Sequence, residues 1–209
     1  MTLRNNILTT LLCFSFSAAA PQSSAGFEQM YYMRVGENPS MAPRAHLTSK
    51  NNWYGEARYN YDELQTFSLY GGRTFAKKGD WSYSATPLIG GLVGKMNGGS
   101  FGLNMDLGFE NVFFSTVSQY TFSLENRDNQ FFYSWSELGY QAVPWLFGGM
   151  ALQQTNVLRS AGKMEPGCML GLSIKNWTVP FYVFNPAGKE MNFVVGFNWE
   201  WEKSKSQPK

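Results

Sequence analysis

The chain has 209 residues, with 17 lysines and arginines against 15 aspartates and glutamates, and a formal net charge of +2. This near-balance argues against a nucleic-acid partner, because proteins that bind nucleic acids carry a strong basic excess. Aromatic residues make up 17% of the chain, more than the 15% that is charged, and there are 21 glycines. Such enrichment is typical of β-strands separated by turns rather than of helices.

The N-terminus has the layout of a secretory signal peptide. Arg4 supplies the basic start, residues 7–20 are apolar and uncharged, and small and polar residues follow as far as Ala25. Pro21 disfavours cleavage directly before it, so we predict cleavage near Ala25 and Gly26. The chain is therefore predicted to be exported.

Three segments follow from this prediction. They are a signal peptide over residues 1–25, a single β-barrel domain over 26–202 and a periplasmic tail over 203–209. One cysteine, Cys168, remains after cleavage, which excludes an internal disulfide bond in the mature chain. The longest uncharged stretch after the leader, 138–158, contains Pro144, two adjacent glycines and several amide side chains, a composition that argues against a membrane helix.

Apolar and polar residues alternate from Trp53 to Trp201, and this period of two predicts β-strands with one apolar face. Alternation gives eleven strands, and an even number, which is normal for bacterial barrels, requires one more at 27–35. We therefore predict twelve strands, with ten as the alternative. The predicted ranges are 27–35, 44–50, 52–61, 66–76, 81–94, 101–109, 111–124, 131–142, 145–158, 167–175, 177–184 and 191–201.

The connections between these strands alternate in length. Short turns are predicted near 51–52, 77–80, 110–111, 144 and 176, and longer polar loops at 36–41, 62–65, 95–100, 125–129, 159–166 and 185–190. Tight turns on one rim and longer loops on the other are typical of outer-membrane barrels, whose tight turns face the periplasm.

Aromatic residues concentrate at both ends of the apolar face, with smaller residues between them. Because amphipathic rings favour the lipid–water interface, this pattern predicts a transmembrane, antiparallel up-and-down barrel in the outer membrane. A girdle at the short-turn end is predicted from Trp53, Trp81, Phe109, Tyr140, Trp177, Trp199 and Trp201. The loop end is predicted to carry Tyr59, Tyr61, Phe101, Phe122, Phe132 and Phe193 on the same face.

Three sequence runs carry a family resemblance. NWYGEARYNYDE (52–63), FFYSWSELGY (131–140) and FNP (184–186) resemble a poorly characterised group of Bacteroidota outer-membrane barrel proteins. The resemblance implies a barrel fold and an outer-membrane location, and it implies no activity. Such barrels end on an aromatic residue that the barrel-assembly machinery reads. This chain continues past Trp201, so we expect an internal signal at 197–201, with outer-membrane lipid as the other partner.

The polar phase of the strands places a few charged residues inside the barrel. One interpretation is a selectivity constriction or gate, in which Arg58 pairs with different acids in two states. The other is a static ion-pair network that fills a narrow lumen, and the inward aromatic residues favour it. The predicted lumen charges are Glu56, Arg58, Asp106, Glu137 and Glu200, and the predicted inward rings are Tyr54, Tyr70, Tyr133, Trp135 and Tyr182.

Catalytic and metal chemistry have little support in the sequence. His46 is the only histidine, and the serines Ser68, Ser115, Ser134 and Ser136 lie in no nucleophile motif. One histidine and one mature cysteine are too few for a typical zinc site, so neither a metal nor a cofactor is predicted. Three functions remain: a structural or interaction barrel with a narrow or sealed lumen, a small passive porin-like channel and, least favoured, a lipid-active enzyme.

Overall fold

The computed structural model describes residues 22–34, 36–158, 162–188 and 190–202, and this part of the chain forms a closed antiparallel β-barrel. No helix in the described residues is long and apolar enough to cross a membrane. The strands are β1 (Gln22–Arg34), β2 (Ser40–Ser49), β3 (Trp53–Tyr59), β4 (Thr66–Arg73), β5 (Phe75–Lys77), β6 (Trp81–Gly94), β7 (Gly98–Phe109), β8 (Val112–Ser123), β9 (Phe131–Val143), β10 (Leu146–Val157), β11 (Lys163–Ile174), β12 (Trp177–Phe184) and β13 (Asn192–Glu202).

These segments make twelve spanning strands, which confirms the predicted count. β4 and β5 both pair with β6 and together form one interrupted strand. The interruption is Thr74, whose amide donates to the Asn52 carbonyl at 2.8 Å. Each other strand pairs with its sequence neighbours, and β1 pairs with β13, so the first and last strands lie side by side.

Four strands begin earlier than predicted. β1 starts at Gln22, β2 at Ser40, β7 at Gly98 and β11 at Lys163, rather than at 27, 44, 101 and 167. In β11 the charged residues suggested a loop. Glu165 instead faces the lumen, where its Oε1 accepts a hydrogen bond from Asn192 Nδ2 at 2.9 Å, so the charge is compatible with a strand.

The predicted signal peptide and tail lie largely outside the described residues. Residues 1–21 and 203–209 are not described, so cleavage and the tail stay predictions. Residues 22–25 lie in β1, where Gln22 is opposite Ser49 and Ala25 is opposite Trp201. Cleavage after Ala25 would therefore remove residues 22–25, which form the beginning of β1 at the tight-turn rim.

The outer wall of the barrel is apolar and the inner wall is mixed. In β4, for example, Phe67 and Leu69 are exposed on the outside while Ser68 and Tyr70 are buried on the inside. A soluble protein would bury its large apolar side chains, whereas here they cover the exposed wall on every side of the barrel. An apolar outer wall is the face that lipid requires.

The barrel has two different rims. The tight-turn rim consists of the connections 50–52, 78–80, 110–111, 144–145 and 175–176, and the long-loop rim consists of 35–39, 60–65, 95–97, 124–130, 158–162 and 185–191. The predicted alternation of short and long connections is confirmed, although 95–97 is shorter than expected because β7 begins early. A single 3-10 turn, Arg127–Asn129, lies in one long loop.

Candidate functional site

A buried cluster around Arg58 lies inside the barrel. The Arg58 side chain is 1% exposed, and its Nε donates to Glu56 Oε1. Its Nη1 donates to Gln119 Oε1 at 2.5 Å and lies 3.6 Å from Asp62 Oδ1. The guanidinium carbon also lies 4.3 Å from the Tyr70 ring centroid. The cation is therefore held by two carboxylates, an amide and an aromatic face, an arrangement that offsets the cost of its burial.

The loop 60–65 supplies part of this cluster, which sequence analysis missed. Tyr61 was predicted on the outer face, and this prediction is wrong, because its ring packs inside against the buried core. The cause is Asn60, whose φ of 57° breaks the strand alternation and turns the chain inward. Asp62 follows into the lumen and accepts hydrogen bonds from Ser68 Oγ and from Tyr70 OH, the latter at 3.0 Å.

A second ion pair lies on the opening strands. Arg44 Nη2 donates to Glu28 Oε2 at 3.1 Å, and both side chains are largely buried. The Arg44 guanidinium carbon lies 5.8 Å from the Tyr61 ring centroid, and that of Arg58 lies 5.0 Å from it. Arg58 was the one cation among the predicted lumen charges, so Arg44 is a second lumen cation that the prediction missed. The signal was present in the sequence, because Arg44 occupies the same polar phase as His46.

The opposite side of the lumen is aromatic. Trp135 makes edge-on contacts with Tyr182 and Phe184, at centroid distances of 5.0 and 4.9 Å. Glu137 lies beside this group and accepts hydrogen bonds from Trp135 Nε1 and Tyr182 OH, both at 2.7 Å. The predicted inward orientation of Tyr70, Tyr133, Trp135 and Tyr182 is confirmed. Two of these residues, Trp135 and Tyr182, donate to the Glu137 carboxylate from uncharged groups.

Every spanning strand contributes at least one buried inward residue to this filling. One such residue from each strand, none more than 6% exposed, is Met30, Ala42, Arg58, Tyr70, Leu88, Ser100, Gln119, Trp135, Ala151, Met169, Tyr182 and Val194. Seven of them belong to one packed apolar cluster: Met30, Ala42, Trp135, Ala151, Met169, Tyr182 and Val194.

The tight-turn half of the lumen is more open. Asp106 is exposed there, and the Glu200 side chain is 54% exposed. His46 Nε2 lies 3.3 Å from Glu200 Oε1, and the imidazole stacks on Tyr54 with centroids 5.9 Å apart. This pairing needs Gly26, because a Cβ at that position would overlap both the imidazole and the Glu200 carboxylate.

The five predicted lumen charges therefore do not form one network. Glu56 and Arg58 are in contact, whereas Glu137, Asp106 and Glu200 each have separate surroundings. Partners that sequence analysis missed complete the ion pairs. No group of three or more histidine, cysteine, aspartate or glutamate side chains within the described residues is suited to holding a metal ion.

The predicted girdle residues all lie on the outer wall at the tight-turn rim. Trp81 stacks on Phe109 with centroids 4.4 Å apart, and Trp177 is opposite Trp199 across a strand pair. Trp53, Tyr140, Trp177 and Trp201 are exposed, whereas Trp199 is partly covered.

The serines considered for catalysis are dispersed. Ser134 and Ser136 lie on the outer wall, where their hydroxyls form hydrogen bonds with Ser118 and Thr116 at 3.0 and 2.9 Å. Ser68 donates to Asp62 in the Arg58 cluster. His46 is instead oriented by Glu200 and Tyr54.

Comparison with known proteins identifies the fold. No protein-family model matches the sequence, and no curated protein is similar to it. Solved structures of the KdgM porin are similar, with a TM-score of 0.58 and 12% identity, covering 85% of this chain and 99% of that porin. The NanC porin is also similar, with a TM-score of 0.55 and 8% identity, covering 85% of this chain and 100% of that porin.

At these identities the similarity concerns the fold alone. It agrees with the twelve strands, the alternating rims and the apolar outer wall described above. The chain is thus a transmembrane β-barrel of the outer membrane with a porin-like fold.

Proposed function

We propose that this protein is a structural or interaction barrel whose lumen is sealed in its middle and long-loop half. The observation that carries this proposal is the buried inward side chain contributed by every spanning strand. The long-loop rim, which carries the longer connections, would be the surface that meets partners. With tight turns in the periplasm, this rim faces outward from the cell.

A small channel is the second candidate, and two observations favour it. KdgM and NanC are porins, and the structural similarity to this barrel extends over almost their whole chains. One KdgM structure is described as a complex with disordered oligogalacturonate. Part of the filling here is loop rather than strand, since Tyr61 and Asp62 belong to 60–65. Movement of that loop would widen the lumen on the Arg58 side.

We do not assign an enzymatic activity. The porin-like fold and the dispersed serines favour a barrel without chemistry of its own. The aromatic girdle at the tight-turn rim would anchor the barrel at the lipid interface, and the assembly machinery would recognise 197–201. The similarity to a Bacteroidota group stays a prediction from the sequence runs.

Cysteine accessibility tests the sealed lumen. Ser100 and Asp106 both face inward on β7, but Ser100 is buried in the filled region and Asp106 is exposed. In a Cys168→Ala background, we expect a charged thiol reagent to label Asp106→Cys in the folded protein. Ser100→Cys should label only after unfolding. Equal labelling of both cysteines in the folded protein would show that the lumen is water-filled and would favour the channel.

A further inference from the structure

A pocket of about 210 Å³ lies at the long-loop rim beside the Arg58 cluster. Its lining includes Tyr133 and Gln153, which are buried, together with Tyr32, Arg34 and Tyr61. The volume corresponds to about seven water molecules at the density of liquid water. It is smaller than the roughly 300–1,000 Å³ of sites for drug-sized ligands.

Two polar atoms among the residues that line the pocket have unmet hydrogen-bonding capacity. Gln153 is 7% exposed, and its Oε1 accepts no hydrogen bond from the described residues. Arg34 Nε is likewise buried and donates to none of them, while its Nη1 lies 3.9 Å from Glu37 Oε2. Buried polar atoms of this kind carry a free-energy cost unless a bound molecule satisfies them. The residues that line the pocket therefore contain one unmet acceptor and one unmet donor.

The charges around the pocket are balanced. Arg44 and Arg58 lie behind the Tyr61 ring, but each is already paired with a carboxylate, and Arg34 lies beside Glu37. An anion would meet the Gln153 carbonyl oxygen unfavourably, and a cation would meet the Arg34 guanidinium unfavourably. The pocket thus favours an uncharged ligand.

A hydroxyl group is both a donor and an acceptor. A molecule with several hydroxyls can therefore donate to Gln153 Oε1 and accept from Arg34 Nε at once. Tyr32, Tyr61 and Tyr133 add aromatic surface against which the carbon frame of such a molecule can pack.

We propose that this pocket binds a neutral, polyhydroxylated molecule about the size of one sugar ring. The proposal goes beyond the sealed barrel, because it requires only the pocket at the rim. A sealed lumen below the pocket would make the ligand a bound molecule rather than one in transit.

Calorimetric titration of the purified barrel tests this binding, in a detergent whose headgroup is not a sugar. The neutral probes are D-galactose, D-glucose and myo-inositol, and D-galacturonate is the matched anion for D-galactose. The test variants are Gln153→Leu and Arg34→Ala. Gln154→Leu is the control, because Gln154 is the next residue of β10 and faces the outer wall.

We expect saturable binding of at least one neutral probe by the native protein and by Gln154→Leu. Gln153→Leu and Arg34→Ala should each weaken that binding about tenfold or more, the effect of losing one buried hydrogen bond. D-Galacturonate should bind more weakly than D-galactose.

Three results would overturn the proposal. They are no saturable binding of any neutral probe, unchanged affinity in both test variants, or tighter binding of D-galacturonate. If Gln153→Leu does not fold, as judged by the gel shift on heating, the test rests on Arg34→Ala, because Arg34 lies at the end of β1. Labelling of Ser100→Cys tests the sealed lumen, and calorimetry tests binding in the pocket. The two measurements are independent, so either proposal can fail without deciding the other.

Discussion

Replacing Arg58 with methionine should destabilise the barrel strongly. The Arg58 side chain is 1% exposed, and the side chains of its partners Glu56 and Asp62 are 0% exposed. Methionine keeps most of the volume, so the loss reports on the two carboxylates left without their cation. Removing one partner of a buried ion pair costs roughly 3–5 kcal/mol, and we expect a loss of free energy of unfolding in that range.

Urea unfolding in lipid vesicles, followed by tryptophan fluorescence, measures this loss by linear extrapolation. The matched control is Arg73→Met, because Arg73 is an exposed arginine near the tight-turn rim, and its replacement should change stability by no more than about 0.5 kcal/mol. Combining Arg58→Met with Glu56→Gln and Asp62→Asn should recover much of the loss, since the charges are then removed together. A loss below about 1 kcal/mol for Arg58→Met alone would refute the assignment of buried, mutually dependent charges.

Three further predictions address packing, topology and the aromatic side. Gly90→Ala should destabilise the barrel by about 1–3 kcal/mol, because the added Cβ would overlap the ring of Tyr70. Gly91→Ala is the control, since its Cβ meets nothing within 4 Å, and it should leave stability unchanged in the same urea assay. In a background without the free cysteine, Asn129→Cys should react with an impermeant reagent on intact cells and Asn51→Cys should not; reversed labelling would invert the orientation. Glu137→Leu should lower the free energy of unfolding by about 1–3 kcal/mol, because Trp135 and Tyr182 lose their hydrogen-bond acceptor. Glu137→Gln should lower it less. Equal losses for the two variants would indicate that these hydrogen bonds contribute little to stability.

Much of the barrel could be predicted from sequence because an apolar outer wall and a more polar inner wall impose a strict alternation on each strand. In β3 the predicted phase holds from Trp53 to Tyr59, with Glu56 and Arg58 buried inside. The required even count also located β1, where alternation alone was weak. The phase of β3 follows from local periodicity, which a single sequence displays directly, whereas β1 follows from the even strand count of bacterial barrels.

The predictions failed where one residue left that periodicity. The positive φ of Asn60 reversed the direction of Tyr61 and brought Asp62 into the lumen. Asparagine tolerates this conformation, and its position at the end of a strand was the available signal. Contacts across the lumen were also beyond prediction. Arg58 meets Gln119 through the closure and stagger of the barrel, which no local pattern encodes.

The central claim is that the lumen is sealed, and recording ion currents from the native protein in a planar lipid bilayer tests it most directly. The barrel should be folded, as shown by the gel shift on heating, and a known porin reconstituted in the same way should serve as the positive control. We predict no steady current steps in concentrated potassium chloride, because a lumen filled between Arg58 and Trp135, as proposed, would leave no continuous path for hydrated ions. Reproducible current steps of constant size from the native protein would contradict the sealed lumen and establish the channel.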